Sequence, residues 1–383
     1  RRQRQMCIRD RRIIWWALLG VLLIGFAIMD GFDLGAAILQ PFVAKNDVQR
    51  RVVINTIGPV WEGNQVWFIL AGGATFAAWP YVYSASFSGF YLAMLLILAG
   101  LILRPVAITF RSKIDSPLWR ETWDWAFFVS GLLPSLLCGV AFGNLLRGTP
   151  FYFDQNMRSF YEGNLLGLLN PFALMCGFVS LSMLVMQGAA WLSVKTEGDV
   201  ADRSRSIGIK ATIVTAVLFF ICGFWVWLGI YGYRITDGGD PYGPSNPMLK
   251  NVSVELGYWL TNYRQHPILM IIPAGVFVSA GVLVLSMRTL HNKTALLFSS
   301  LMVASVILTA GVSLFPFLMP SSSHPEHSLT VWDSSSSQMT LGLMLMAVIL
   351  FLPIILTYTA WVYRVLRGPV TEIAISDKRD FYY

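Results

Sequence analysis

Apolar residues run along this chain in long blocks, and the polar residues fall mostly between them. Blocks of spanning length lie at 13–39, 52–79, 81–103, 123–146, 165–192, 207–233, 267–287, 294–319 and 339–363. A helix needs about 20 predominantly apolar residues to cross a bilayer core. The pattern therefore predicts about nine transmembrane helices, an all-α polytopic membrane protein. The second block is interrupted by Glu62, Asn64 and Gln65, and the eighth runs into a Ser- and Pro-rich stretch from Pro316. Alternation of the kind that builds a membrane barrel is not evident, nor is a 20–50-residue repeat.

Composition sharpens this reading. Hydrophobic residues make up 55% of the 383 and charged residues 13%, against about 25% charged in an ordinary soluble domain. Mean hydropathy is +0.59. A soluble enzyme, a disordered protein and a disulfide-stapled secreted scaffold are all excluded. The four Cys form no CxxC pair, and Cys138, Cys176 and Cys222 fall inside apolar blocks, where a thiol behaves as a small apolar group.

The net charge of +7 is mostly local. Residues 1–12 hold six Arg and one Asp, so the tail alone carries +5. A pI near 9.3 is then no sign of nucleic-acid binding, and none is expected. The segments around 45–51, 104–120, 195–210, 288–293 and 364–379 hold 17 Lys and Arg; the alternate connections hold five. The positive-inside rule makes the first set cytoplasmic. This puts the C-terminus inside and the N-terminus outside. The tail breaks the rule and lacks a signal-peptide pattern. We read residues 1–12 as a non-native basic tail and set 1–11 aside from function, leaving 13–383 as a single transmembrane domain. The longest outer connection, about 234–266, is rich in Gly, Pro and Asn; it reads as a docking surface, a lid or a plain connector.

Ionisable groups inside membrane helices are costly, and each is a functional candidate. Asp30 and Asp33 stand at i and i+3 in the first block and share a face. At 1.5 Å per residue, Asp33 is roughly 9 Å and Asp30 roughly 13 Å from the inner end of their helix, and Glu62 roughly 15 Å from the start of the next. All three are expected at similar depth. Asn55, Glu62 and Gln65 form one polar stripe on a continuous second helix, flanked by Asn64, Trp61 and Trp67. With Glu62, Asp33 and Asp30 as the carriers, such a stripe suits a proton half-channel open to the cytoplasm, since burial can bring a carboxylate's titration towards neutral pH. The alternative is that these groups only bond helices together. Arg104 closes the third block, where it would snorkel to the inner interface, bind an anionic lipid head group or pair with an acid. Asp124 opens the fourth block, where an acid suits the helix dipole, and Trp332-Asp333-Ser334 resembles a helix cap before the ninth. The four His lie in connections or at span ends, so no mid-membrane pair is available to ligate a heme.

Several ordered motifs are similar to one family. Ile14-Trp-Trp16, Asp30-Gly-Phe-Asp-Leu-Gly35, Trp61-Glu-Gly-Asn-Gln-Val-Trp67, Ala71-Gly-Gly-Ala74 and Phe76-Ala-Ala-Trp-Pro80 resemble subunit II of the cytochrome bd-type quinol oxidases. So do Phe87-Ser-Gly-Phe-Tyr91, Arg104-Pro105, Arg111-Ser-Lys113, Ala141-Phe-Gly-Asn-Leu-Leu146, Asn170-Pro-Phe172, Phe315-Pro-Phe317 and Ser328-Leu-Thr-Val-Trp-Asp333. The likeness runs from about residue 13 to the C-terminus.

The resemblance implies two four-helix bundles plus a peripheral helix, paired with a subunit I of similar architecture. Subunit I would carry the b and d hemes and the quinol-oxidising loop, so no cofactor is expected in this chain beyond a structural quinone held by some members. Small single-helix accessory subunits and membrane lipids are further implied partners. The complex would oxidise quinol, reduce dioxygen to water and build a proton-motive force at the bacterial inner membrane. The family's proton entry path maps onto Glu62 and Asp33. Many relatives carry Asp where this chain has Glu62, and they begin with a short, non-basic segment. Two other readings are a proton-coupled secondary transporter and a structural partner that conducts no protons.

Overall fold

The structure, a computed structural model, describes residues 2–377. Helix α1 spans Arg2–Val43 and α2 Asp47–Ile57; α3 covers Trp61–Ala78, α4 Pro80–Gly89, α5 Tyr91–Phe110 and α6 Pro117–Arg147. Strands β1 (Phe151–Phe153) and β2 (Ser159–Tyr161) form a hairpin, followed by α7 (Leu165–Leu168), α8 (Pro171–Lys195) and α9 (Gly198–Gly229). A longer hairpin pairs β3 (Tyr231–Gly238) with β4 (Lys250–Leu256). Then come α10 (Thr261–Gln265), α11 (Ile271–Arg288), α12 (Asn292–Leu314), the short pair β5 (Phe317–Met319) and β6 (Leu329–Thr330), α13 (Gln338–Val365) and α14 (Glu372–Asp377).

Among the described residues, eight helices are long and apolar enough to cross a membrane: α1, α5, α6, α8, α9, α11 with its preceding turn, α12 and α13. The second expected span differs. Residues 52–79 are not one helix but α2 and α3, broken at Gly58-Pro59-Val60. Pro59 has no N–H to continue the ladder, and Glu62, Asn64 and Gln65 fall in the first turns of α3. The third span is also shifted. Pro80 starts a separate helix, α4, and the crossing helix α5 begins at Tyr91 instead of residue 81.

One set of helices is α1, α3, α5 and α6; a second is α8, α9, α11 and α12. They meet where α1 and α6 pack on α8, while α13 lies mainly against α1 and α3. The junction depends on glycine. A Cβ at Gly35 would stand 2.0 Å from the Leu184 carbonyl, and one at Gly188 would stand 2.4 Å from the Gly35 carbonyl carbon. Small residues let membrane helices approach to backbone contact in this way.

The three hairpins cap one end of the helices. There Trp259 Nε1–H donates to Leu146 O at 2.9 Å, and buried Lys250 pairs with Asp333 at 2.9 Å. The segment 234–266 therefore holds a paired hairpin, whose tip folds over Arg12, followed by the short helix α10. Arg12 is fully buried and donates to Pro241 O, Gly243 O, Ser245 and Ser335. Counted with the basic tail in the sequence, Arg12 is part of this folded cap. Asp333 accepts from Thr330 N–H, while Ser337 caps α13; the expected cap at Trp332-Asp333-Ser334 lies one turn too early.

Basic residues gather at the opposite end. Asp124 does not open its helix, which begins at Pro117. It is buried and accepts from Arg50 at 2.7 Å and Arg111 at 2.6 Å, and Arg111 also reaches Asp47 at 2.8 Å. Two guanidinium groups, not a helix dipole, hold this carboxylate.

Candidate functional site

The polar chemistry of the span interior converges on α1, α3, α5 and the last turn of α13. Arg104 was expected at an inner interface, against a lipid head group or an acid. It lies inside α5 and is fully buried. Its Nη1 donates to Asp30 Oδ1 at 2.5 Å and its Nη2 to Asp30 Oδ2 at 3.1 Å, a two-pronged pair. Such forks are the strongest ionic contacts available to arginine. No surface is left for a lipid head group. The acid-pairing alternative is the arrangement found.

Asp33 sits beside this pair. Its Oδ2 lies 3.9 Å from Arg104 Nη1 and accepts from Asn64 Nδ2 at 2.8 Å. Asn64 is fixed in turn by Tyr363, whose hydroxyl donates to Asn64 Oδ1 at 2.7 Å. A connected chain thus runs Tyr363–Asn64–Asp33, with Arg104 and Asp30 at its far end. Asp30, Asp33 and Arg104 have no exposed surface. One guanidinium faces two carboxyl groups, so a single added proton makes the cluster neutral.

Glu62 is not brought to this cluster. It is exposed, on the far side of the α3 turn that buries Asn64. Its neighbours on that surface are apolar: Val66, Ile69 and Leu70 are also exposed. The helix break removes the proposed stripe. Asn55 belongs to α2, where it is buried and donates to Arg51 O at 2.8 Å. Gln65 is half-buried, Trp61 packs on the cluster around Phe32 and Ile57, and Trp67 covers Gly25. Of the expected stripe, Asn64 is the residue that reaches the buried acids, through Asp33.

Tyr363 was missed because a tyrosine near a span end reads equally well as part of an aromatic belt. Among the described residues, no group of three or more His, Cys, Asp or Glu is placed to hold a metal. The closest His pair, His324 and His327, stacks in the hairpin cap at 5.1 Å, with His327 Nδ1 already accepting from Phe153 N–H. These residues do not fit heme ligation inside the helices.

The family model described as cytochrome bd terminal oxidase subunit II matches residues 11–366. A Haemophilus influenzae protein named "Probable cytochrome oxidase subunit 2" is 51% identical, across 97% of this chain and 98% of its own length. The Escherichia coli K12 protein named "Cytochrome bd-I ubiquinol oxidase subunit 2" is 50% identical, across 94% of this chain and 95% of its own. In fold, the chain is similar to a chain of the bd oxidase from Geobacillus thermodenitrificans. That match has a TM-score of 0.68 at 14% identity and covers 93% of this chain and 98% of the other. This chain belongs to the subunit II family of the cytochrome bd terminal oxidases, multi-pass membrane subunits of an oxidoreductase complex that also implies a subunit I partner.

Proposed function

We propose that the chain supports a heme-bearing subunit I and lines a cytoplasmic proton path to the site of dioxygen reduction. Glu62 is its surface carboxylate and Asp33 its buried one. The carrying observation is the exposure of Glu62. Asn64, two residues on, bonds Asp33. Asp33 is ten residues from the end of α1 at Val43, or roughly 15 Å by helix rise. Glu62 therefore stands within the membrane-spanning layer, on an otherwise apolar flank. A carboxylate there against hydrocarbon costs about 2.5–3.5 kcal/mol. A partner that meets it with polar groups or water removes that cost. Subunit I is the occupant this reading assigns to the Glu62 face.

In this arrangement the basic end is cytoplasmic and the hairpin cap outside, as the positive-inside rule requires. That puts α1 with its N-terminal end outside and the C-terminus inside. Reduction of dioxygen to two waters takes up four protons and four electrons. The electrons would come from quinol through hemes held by subunit I; this chain's residues would hold and pass protons. Asp30, forked onto Arg104, is the anchor of the cluster and not a carrier. A structural quinone and single-helix accessory subunits stay compatible with this assignment.

Replacing Glu62 by Gln in the assembled complex tests the reading. Quinol-driven oxygen consumption should fall by about a hundredfold, the lower end of the range for a lost acid–base group, while Glu62→Asp retains most of it. Full turnover in Glu62→Gln, with hemes and subunits intact, leaves the structural-partner reading.

A further inference from the structure

Gln40 lies in α1 without any exposed surface, and neither its Nε2 nor its Oε1 has a hydrogen-bond partner. Leaving a buried amide unsatisfied costs about 1–3 kcal/mol per group, so both ends of this side chain call for a ligand. Asp33 Oδ1 is equally buried and equally unpartnered. The two residues are seven apart. At 3.6 residues per turn they point within about 20° of each other and stand about 10 Å apart along the axis. Side chains slope towards the helix N-terminus, so Gln40 leans towards Asp33. The residue between them on that face is Ala37, fully buried and contributing only a methyl group. At Asp33 this face meets Asn64 of α3, while Ala37 lies against Gly131 of α6. On the basic side α3 ends at the Gly58-Pro59-Val60 break.

We propose that Gln40 and Asp33 bind a short file of two or three internal waters, the leg of the proton path that leads from the basic end to Asp33 and lies in series with Glu62. The proposal rests on the proton-entry reading above. Its chemistry is complementary: the amide donates at Nε2 and accepts at Oε1, the carboxylate accepts, and a buried water needs two to four such partners. Gln40 touches no reacting atom; it is a positioning residue for water.

The test replaces Gln40 by Leu in the complete oxidase. A merely buried amide gives one result: its removal raises the melting temperature and leaves turnover unchanged, which overturns the proposal. A water-holding amide gives another: oxygen consumption falls several-fold, the solvent deuterium isotope effect on turnover grows, and Gln40→Glu restores the rate. Should Gln40→Leu fail to assemble, a cryo-EM map of the wild-type complex decides. Ordered water between Gln40 and Asp33 supports the file, and closed apolar packing there overturns it. Asp33→Asn separates the two levels. A slow Asp33→Asn with a normal Gln40→Leu sinks only the water file; a normal Asp33→Asn sinks proton entry through Asp33 and the file with it.

Discussion

Single charges decide the interior of this protein. Among the described residues, Arg104 is the only cation paired with Asp30 and Asp33, and removing one partner of a buried pair costs about 3–5 kcal/mol. Arg104→Leu should therefore lower the melting temperature of the detergent-solubilised complex sharply, or prevent assembly. Asp30→Asn should cost less, because Asp33 remains 3.9 Å away to pair with the guanidinium. If the two variants melt alike, Asp33 does not take over the guanidinium when the fork to Asp30 is lost. Asp30 and Asp33 were legible in the sequence, since acids in apolar blocks stand out. Arg104 was legible as unusual but misplaced, because the block boundary at 103 set it at a helix end. Nothing local marks the Tyr363–Asn64 bond: its partners are 299 residues apart. Gln40 escaped notice because an amide in a span is far less conspicuous than a charge.

At the scale of elements, the nine blocks located the helices, and their ends were wrong wherever proline or a polar triplet cut an apolar run. Pro80 begins α4, and Pro59 with Glu62, Asn64 and Gln65 begins α3. A hydropathy window averages across such breaks. It also cannot see contacts as close as the one between Gly35 and Gly188. Gly188→Ala must push α8 off α1, since the methyl would meet backbone; overpacking of this kind costs roughly 1–3 kcal/mol, and the melting temperature of the complex should drop accordingly. The hairpin cap makes a separate prediction. Burial holds His327 below the usual imidazole range, and its neutral Nδ1 accepts from Phe153 N–H at 3.1 Å. The folded cap resists protonation, so its stability is complete above about pH 6.5 and declines as the pH falls below that value. The protection factor of the Phe153 amide, taken against the slower intrinsic exchange at acid pH, should fall between pH 7 and 5. In His327→Gln, which keeps an acceptor and does not titrate, that fall should vanish; if it persists, another group drives it.

The whole molecule is half of a surface as much as it is a fold. Helix α13 has only 6% of its most apolar window buried within the chain. Helices α3 and α5 expose Val66, Ile69, Leu70, Leu95, Leu98 and Ile102. Lipid can cover such residues at no penalty, so apolar exposure alone does not locate subunit I. On the proposed reading Glu62 does, because among the described residues exposed on the α3 flank it carries the charge that hydrocarbon disfavours. That asymmetry yields a sign reversal. In cells lacking subunit I, Glu62 has only lipid to face, and Glu62→Leu removes a cost of about 2.5–3.5 kcal/mol. The variant should then accumulate in the membrane to a higher level than the native chain, by quantitative immunoblot. In cells with subunit I the order should invert in function: both chains assemble, and the Leu variant consumes oxygen slowly. Equal levels of the two lone chains would mean that Glu62 finds water or a polar group within this subunit, and the face assigned to subunit I would have to be sought elsewhere.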